Sequence, residues 1–394
     1  MSDRALILLL SFVVTIGSVA TNLYIPALPA VREHFDASVA EVQTTFSVAL
    51  LTFAVGMLFW GPYADRYGRR AALFGGIALM TVGSLACLAA PNLGWLVLGR
   101  AVSAFGTAAG LAVSRTIVSD VFPTRMAPML AQLAIVSVVA SASAPVVGGL
   151  LTSQFGWRSV FGALIVFGVA IAWLVHRHLP ETRPVAHAPP AVREMARVAR
   201  SLLSKPLYLS CVVQSSAAYS MFVVFISLAP YVMVTALGHS ATEYGLYYPL
   251  ISVGYVAGNW ALNRFSGRGQ QWLIGFGVAL QFVAAVAALA FVAAGLTHPL
   301  WIFGPMGVLY FGQGLFMPHL TAIAVSQAPA HATGVGSSTL GFLNQLVSAL
   351  CVQAMGVFGA NSALPMLTFA VGAALFQWLV LRWSPAMQAA ERGH

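Results

Sequence analysis

Stretches of about 18 or more mostly apolar residues recur along the whole of this chain, and each is long enough, as a helix, to cross a hydrocarbon core of about 30 Å. That feature leaves few folds. In lipid, every backbone N–H and C=O must find a partner inside the protein, which restricts a spanning chain to helices or a closed barrel. A barrel needs short strands of alternating polarity, and the apolar blocks here are continuous. Composition agrees: of 394 residues, 59% are hydrophobic and only 7% charged, where a soluble protein carries about 25%. The expected fold is an all-α polytopic membrane protein.

Twelve spans can be laid on the chain, at 5–30, 41–62, 71–90, 93–118, 129–153, 157–178, 206–236, 243–263, 271–295, 299–325, 332–358 and 362–383. Connections are short except between the sixth and seventh. Two sets of six spans joined by a basic linker suggest two pseudo-symmetric six-helix bundles. The boundaries fall at 1–178, a linker at 179–205, and 206–394 with a short cytoplasmic tail. The linker begins with Pro180, Pro184, Pro189 and Pro190 and is expected to be extended there. Its second half, Ala191 to Ser204, reads as a short helix on the membrane surface, with Arg193, Arg197 and Arg200 held by anionic lipid. A short internal echo fits two halves: Asn263-Arg264-Phe265 closes the eighth span where Asp65-Arg66-Tyr67 closes the second.

With both termini inside, every lysine and arginine except Arg32, Arg100 and Arg158 falls on the cytoplasmic face, the bias that orients membrane helices. The net charge of +9 therefore reports topology, and no nucleic-acid partner is expected. The start of the chain lacks a strongly basic region and runs into a full-length span, so the first helix is expected to be retained rather than cleaved. Cys87, Cys211 and Cys351 lie far apart within spans, so neither a disulfide nor a metal site is expected. No zinc-protease, nucleophile-elbow or phosphate-loop pattern is present. The expectation is a transporter rather than an enzyme, with no cofactor, driven by a gradient.

One stretch concentrates charge between two spans: Gly61-Pro62-Tyr63-Ala64-Asp65-Arg66-Tyr67-Gly68-Arg69-Arg70. It is similar to the signature loop between helices 2 and 3 of the major facilitator superfamily. Asn22-Leu-Tyr-Ile-Pro-Ala-Leu-Pro29 resembles the end of helix 1 in the bicyclomycin-resistance/CflA type of drug:proton antiporter. Ser114-Arg115-Thr-Ile-Val-Ser-Asp120 resembles the end of helix 4 in that group, and Pro180-Glu-Thr-Arg183 its linker start. Ala144-Pro145-Val-Val-Gly148-Gly149 resembles the antiporter pattern of helix 5, with alanine where the pattern has glycine. Arg100-Ala-Val-Ser103-Ala104 departs from the helix 4 pattern after its arginine. Asn22 stands where the group usually has aspartate.

The resemblance implies a gate at Gly61, Asp65, Arg66, Gly68, Arg69 and Arg70, with Arg115 and Asp120. Asp65 would face the positive N-terminus of the eleventh span, near His331 to Gly336, and the arginines would meet Asp120 or helix C-termini. The competing reading is a loop that only sets orientation. Arg100 is the one basic residue deep in a span, where a charge faces water or a partner. It could stabilise a deprotonated group or substrate, or brace the bundle through backbone carbonyls.

Proton coupling needs an ionisable group in the cavity, and an amide is not one. All ten acidic residues fall in loops or at span ends. Three accounts stay open: Asn22 mimics a protonated aspartate and coupling is weak, His319 carries the proton, or an edge carboxylate among Glu33, Asp36, Glu41 and Glu243 does. Tyr24, Tyr219, Phe222, Tyr310 and Gln313 are the candidates for a substrate cavity at the membrane midplane. Pro145, Gly148 and Gly149 make the fifth span small-faced and able to kink.

These residues, with the resemblance, predict a monomeric inner-membrane exporter of small amphipathic compounds, antibiotics among them. It would run by proton antiport through rocking of 1–178 against 206–385. The alternatives are a sugar or metabolite exporter or facilitator with weak or no proton coupling, and a transporter-like sensor that moves nothing.

Overall fold

The computed structural model describes residues 3–122, 125–182, 192–329, 333–359 and 362–384, and these hold helices and no strand. In chain order they are α1 (Asp3–Asn22), α2 (Leu28–His34), α3 (Val39–Tyr67), α4 (Arg69–Leu88), α5 (Leu93–Val121), α6 (Met126–Phe155), α7 (Arg158–His178) and α8 (Val192–Leu203). There follow α9 (Pro206–Tyr231), α10 (Ala241–Tyr247), α11 (Pro249–Arg264), α12 (Gln270–Ala293), α13 (Leu300–Ser326), α14 (Thr333–Gly356) and α15 (Leu364–Trp383). A short 3-10 turn, Ile25–Ala27, carries α1 into α2, so that the two read as one span over Ala5–His34.

Eleven spans among the described residues are long and apolar enough to cross a membrane. The expected eighth span is instead two consecutive helices, α10 and α11, parted at Tyr248 and Pro249. Pro249 has no N–H to return to Gly245, so the i to i−4 ladder stops there and restarts with proline in the first helical turn. Helix starts follow local chemistry elsewhere too. Ser38 and Glu41 form a reciprocal capping box ahead of α3, and Asn92 Oδ1 accepts the Trp95 N–H ahead of α5 at 2.9 Å.

The chain divides into two compact units, Met1–Pro190 with Ser240–Leu246, and Ala191–His239 with Tyr247–His394. In the first, α5 packs along both α3 and α4, and the core gathers Leu10, Val13, Leu73, Ile77, Val113 and Ile117. Lipid tails are as apolar as leucine, so helices associate by close packing rather than by escape from water. Small residues provide that closeness: a β-carbon on Gly83 would sit 2.3 Å from the Ser103 nitrogen, and one on Gly106 2.4 Å from the Gly76 carbonyl.

The second unit repeats the device where α11 and α12 meet α13. A β-carbon on Gly254 would sit 2.1 Å from the Gly307 carbonyl, and one on Gly277 2.7 Å from that of Gly312. Its interior also holds three fully buried glutamines. Gln214 and Gln377 each donate to the other's backbone carbonyl, at 2.9 and 2.8 Å, and Gln281 donates to the Gln377 side chain. These amides tie α9, α12 and α15 together.

The helix expected in the second half of the linker is α8. Leu202 is buried and Val198 and Leu203 pack beside it against Tyr208, Leu320 and Leu340, while Arg193, Arg197 and Arg200 stay exposed. The proline-rich part, 183–191, lies outside the described residues, as do His331 and Arg392.

The packing makes a paired prediction. Gly83→Val is expected to abolish the monodisperse peak of the detergent-solubilised protein in size-exclusion chromatography, because backbone blocks the new side chain. Gly162→Val, with nothing within 4 Å of its β-carbon, is expected to leave that peak unchanged.

Candidate functional site

The charged stretch 61–70 is almost wholly helical. Where a loop was expected, α3 runs through Tyr67 and α4 begins at Arg69, so Gly68 alone turns the chain. Its φ of 105° is open to glycine and strained for other residues, and a β-carbon would also meet Glu181 Oε2 at 2.7 Å. The sharp turn swings Arg69 inward, to 5% exposure. Its Nε donates to Asp120 Oδ2 at 2.9 Å and its Nη1 donates to Asp65 Oδ1. One buried guanidinium thus ties the end of α3 to the end of α5. A charge so far from water needs close carboxylate partners, and with two of them Arg69 keeps the Asp120 pair when the other is removed.

Glu181 completes the junction. Its two carboxylate oxygens accept the backbone N–H groups of Arg69, at 2.9 Å, and Arg70, at 3.2 Å. These are the first amides of α4, which have no partner within the helix and carry its positive end. Arg70 in turn donates through Nη2 to the His176 carbonyl at 2.8 Å, in the last turn of α7. In the sequence Glu181 stands out only as part of the linker start; its place against α4 depends on the return of α7. Arg66 lies over the Tyr67 ring at 5.3 Å. Arg115 is exposed and stands apart from the cluster, since the five positions to Asp120 turn the helix by roughly 140° beyond a full turn. Gly61 has open space around it.

Arg100, on α5, is 2% exposed. Its Nη1 donates to the Ala20 carbonyl at 3.3 Å, and its guanidinium lies 4.3 Å from the centre of the Tyr24 ring. Because α1 ends at Asn22, the Ala20 carbonyl belongs to the last turn, whose carbonyls lack helical partners and form the negative helix end. This is the geometry of the bracing alternative, with a cation–π contact added. The Arg100 Nε meets no partner among the described residues. Tyr24, a cavity candidate, is fully buried in the first unit: its hydroxyl is 2.9 Å from Thr45 Oγ1 and its ring 5.5 Å from that of Phe161.

Asn22 donates through Nδ2 to the Ser18 carbonyl at 2.8 Å and to Ser141 Oγ at 3.0 Å. One turn earlier, Ser18 Oγ meets Ser137 Oγ at 3.2 Å. Both cross-helix pairs are 119 residues apart, so α1 and α6 run parallel and in register along a polar seam. Further along α6, the glycines of the antiporter-like stretch take backbone on two sides. A β-carbon on Gly148 would lie 2.1 Å from the Leu23 carbonyl, and one on Gly149 2.4 Å from the Ala241 carbonyl. Gly245 of α10 returns the contact, with its β-carbon direction 2.6 Å from the Pro145 carbonyl.

The second unit brings its four cavity candidates together on α9 and α13. Tyr310 and Gln313 donate to the carbonyls of Met221, at 3.3 Å, and Ala218, at 3.0 Å. Phe222 lies edge-on to Tyr310 at 5.6 Å and 6.2 Å from Tyr219. His319 is half-buried on α13, and its Nε2 is buried with no partner among the described residues. A parallel polar seam recurs here, unforeseen from the sequence. Tyr208 donates to the Gly336 carbonyl, Ser216 to Asn344 Oδ1, and Ser220 meets Ser348, all 128 residues apart.

The model for the Major Facilitator Superfamily matches residues 10–352. The chain is similar to an uncharacterised MFS-type transporter, YdgK, of Bacillus subtilis, 27% identical over 372 residues that cover 92% of this chain and 90% of that protein. It is also similar to the multidrug resistance protein MdtL of Escherichia coli, 28% identical over 353 residues covering 86% and 85%. Among solved structures, its fold resembles an inward-facing, occupied bacterial homologue of the human lysosomal transporter Spinster, with a TM-score of 0.76 at 17% identity, covering 100% of this chain and 98% of that one. A D-xylose–proton symporter matches with a TM-score of 0.76 at 14% identity over 96% and 98%. The all-helical fold, its membrane-length spans and this match over most of the chain make the protein a multi-pass membrane transporter of the Major Facilitator Superfamily.

Proposed function

We propose that this transporter exports small amphipathic compounds, antibiotics among them, from the bacterial cytoplasm by proton antiport, as drug exporters of the bicyclomycin-resistance/CflA type do. The observation that carries the reading is the antiporter-like stretch of α6, whose Gly148 and Gly149 are packed onto backbone on two sides. The likeness to a multidrug resistance protein over most of both chains adds to it. The protein acts as a monomer in the inner membrane, with both termini cytoplasmic, and works by alternating access.

In this reading, the Asp65–Arg69–Asp120 cluster and Glu181 form the first unit's half of an inner latch. Arg69 and the α4 end are held in one orientation by three carboxylates, so that Asp65 is presented at a defined position each time the latch closes. His319 takes the proton. It is the titratable side chain within a described span whose ring nitrogen is buried and unpartnered, whereas Asn22 is an amide committed to Ser18 and Ser141. That same commitment of Asn22 favours a second reading, an exporter or facilitator of a neutral metabolite with weak or no proton coupling.

Purified protein in vesicles with an imposed pH gradient separates the two. Antiport accumulates a fluorescent amphipathic drug against its gradient and collapses when the pH difference is removed; a facilitator only equilibrates it. Asp65→Ala is expected to lower the transport rate at least tenfold with unchanged amounts in the membrane, and normal transport by that variant overturns the latch. Glu181→Ala is expected to slow transport less, because it frees the α4 end without touching the ion pairs. His319→Gln is expected to abolish the pH dependence while Asn22→Asp leaves it; the opposite pattern assigns coupling to position 22.

A further inference from the structure

The α9–α14 seam, which neither the latch nor the proton path uses, has Asn344 near its middle. Asn344 lies midway along α14, and its Oδ1 accepts hydrogen bonds from Ser215 Oγ at 3.0 Å and Ser216 Oγ at 2.8 Å. Both serines are buried, at 0% and 3% exposure, while Asn344 itself is half-buried. The amide is therefore clamped along its oxygen edge. Its Nδ2 has no partner among the described residues, which leaves two N–H donors unused by the seam. At mid-depth, a polar group turned to hydrocarbon is expensive, so such an edge opens onto water-accessible space inside the protein rather than lipid.

We propose that Asn344 is a specificity-determining residue that donates a hydrogen bond to the transported compound, and that this compound is uncharged and carries a carbonyl, hydroxyl or ether oxygen. The inference rests on the export reading. Ser215, Tyr219 and Phe222 follow one another at i, i+4 and i+7, so the two half-buried rings stand on the same stripe of α9 as the serine that clamps the amide. Neither α9 nor α14 contains a charged residue. The surface thus offers aromatic area and fixed N–H donors with no counter-charge. A cation brought there would lose its hydration with no carboxylate on either helix to replace it, while an uncharged amphipathic molecule loses little and gains the hydrogen bond. Because the serines hold the amide before substrate arrives, its ordering cost is already met.

The test uses purified protein in vesicles and three matched compounds: an uncharged amphipathic drug bearing a carbonyl, its analogue with a methylene in that place, and an analogue carrying an amine cation. Wild type is expected to export the carbonyl compound best. Asn344→Leu is expected to raise KM for that compound about tenfold, the size of one hydrogen bond, and to leave KM for the methylene analogue unchanged. Asn344→Asp is expected to admit the amine-bearing analogue. Equal changes in KM for the carbonyl and methylene compounds, or none in either, overturn the proposal, as does a wild-type preference for the cation. Should Asn344→Leu not reach the membrane, Ser216→Ala, which loosens the clamp, is read by the same ratio. A wild type that exports none of the three overturns the export reading itself, whereas export with an unmoved ratio overturns only the role of Asn344.

Discussion

The buried polar groups of the described helices answer to one constraint: within hydrocarbon, a hydrogen-bonding group has no solvent to fall back on. Buried polar side chains consequently sit on seams between helices. Arg100 rests on the spare carbonyl of α1, Tyr310 and Gln313 on carbonyls of α9, and three glutamines on one another and on backbone. The helices can come close enough for these short side chains to reach because glycines line the contacts. Close packing and polar satisfaction are one device seen from two sides.

Charge is handled by the same rule with higher stakes. Arg69 and Arg100 are both nearly excluded from solvent, yet their settings differ. Arg69 has two carboxylates from two helices, so the cluster is neutralised strongly and directionally. Arg100 has only a helix-end carbonyl and the face of Tyr24. That milder pairing holds α1 against α5 and leaves one guanidinium N–H without a partner among the described residues.

The two units repeat a plan at the level of geometry more than of sequence. Each has a pair of parallel helices in register, α1 with α6 and α9 with α14, joined by short polar side chains. Each also starts a membrane helix from a glycine of positive φ, Gly68 before α4 and Gly269 before α12. The echo of Asp65-Arg66-Tyr67 in Asn263-Arg264-Phe265 points to the right place. A 3-10 turn, Ser266–Arg268, intervenes in the second unit, so the turning glycine is Gly269 rather than the nearer Gly267. A motif comparison without coordinates misses that offset.

Hydropathy by itself determined the helical, membrane-spanning character of the chain and eleven of its spans, because a hydrocarbon slab admits few alternatives for long apolar runs. The residues of 61–70, 100 and 144–149 also stood out in sequence, since charge and clustered small residues are conspicuous in an apolar chain. Tertiary structure decided the rest. The burial of Arg69 between Asp65 and Asp120 and the reach of Glu181 to α4 depend on how helices distant in sequence return to one another. So does the clamp on Asn344, an amide that reads as one more polar residue in an apolar helix until two serines 128 and 129 positions earlier are found holding its oxygen. Sequence spacing reports which residues share a face of one helix; which face meets which neighbour is settled only by packing.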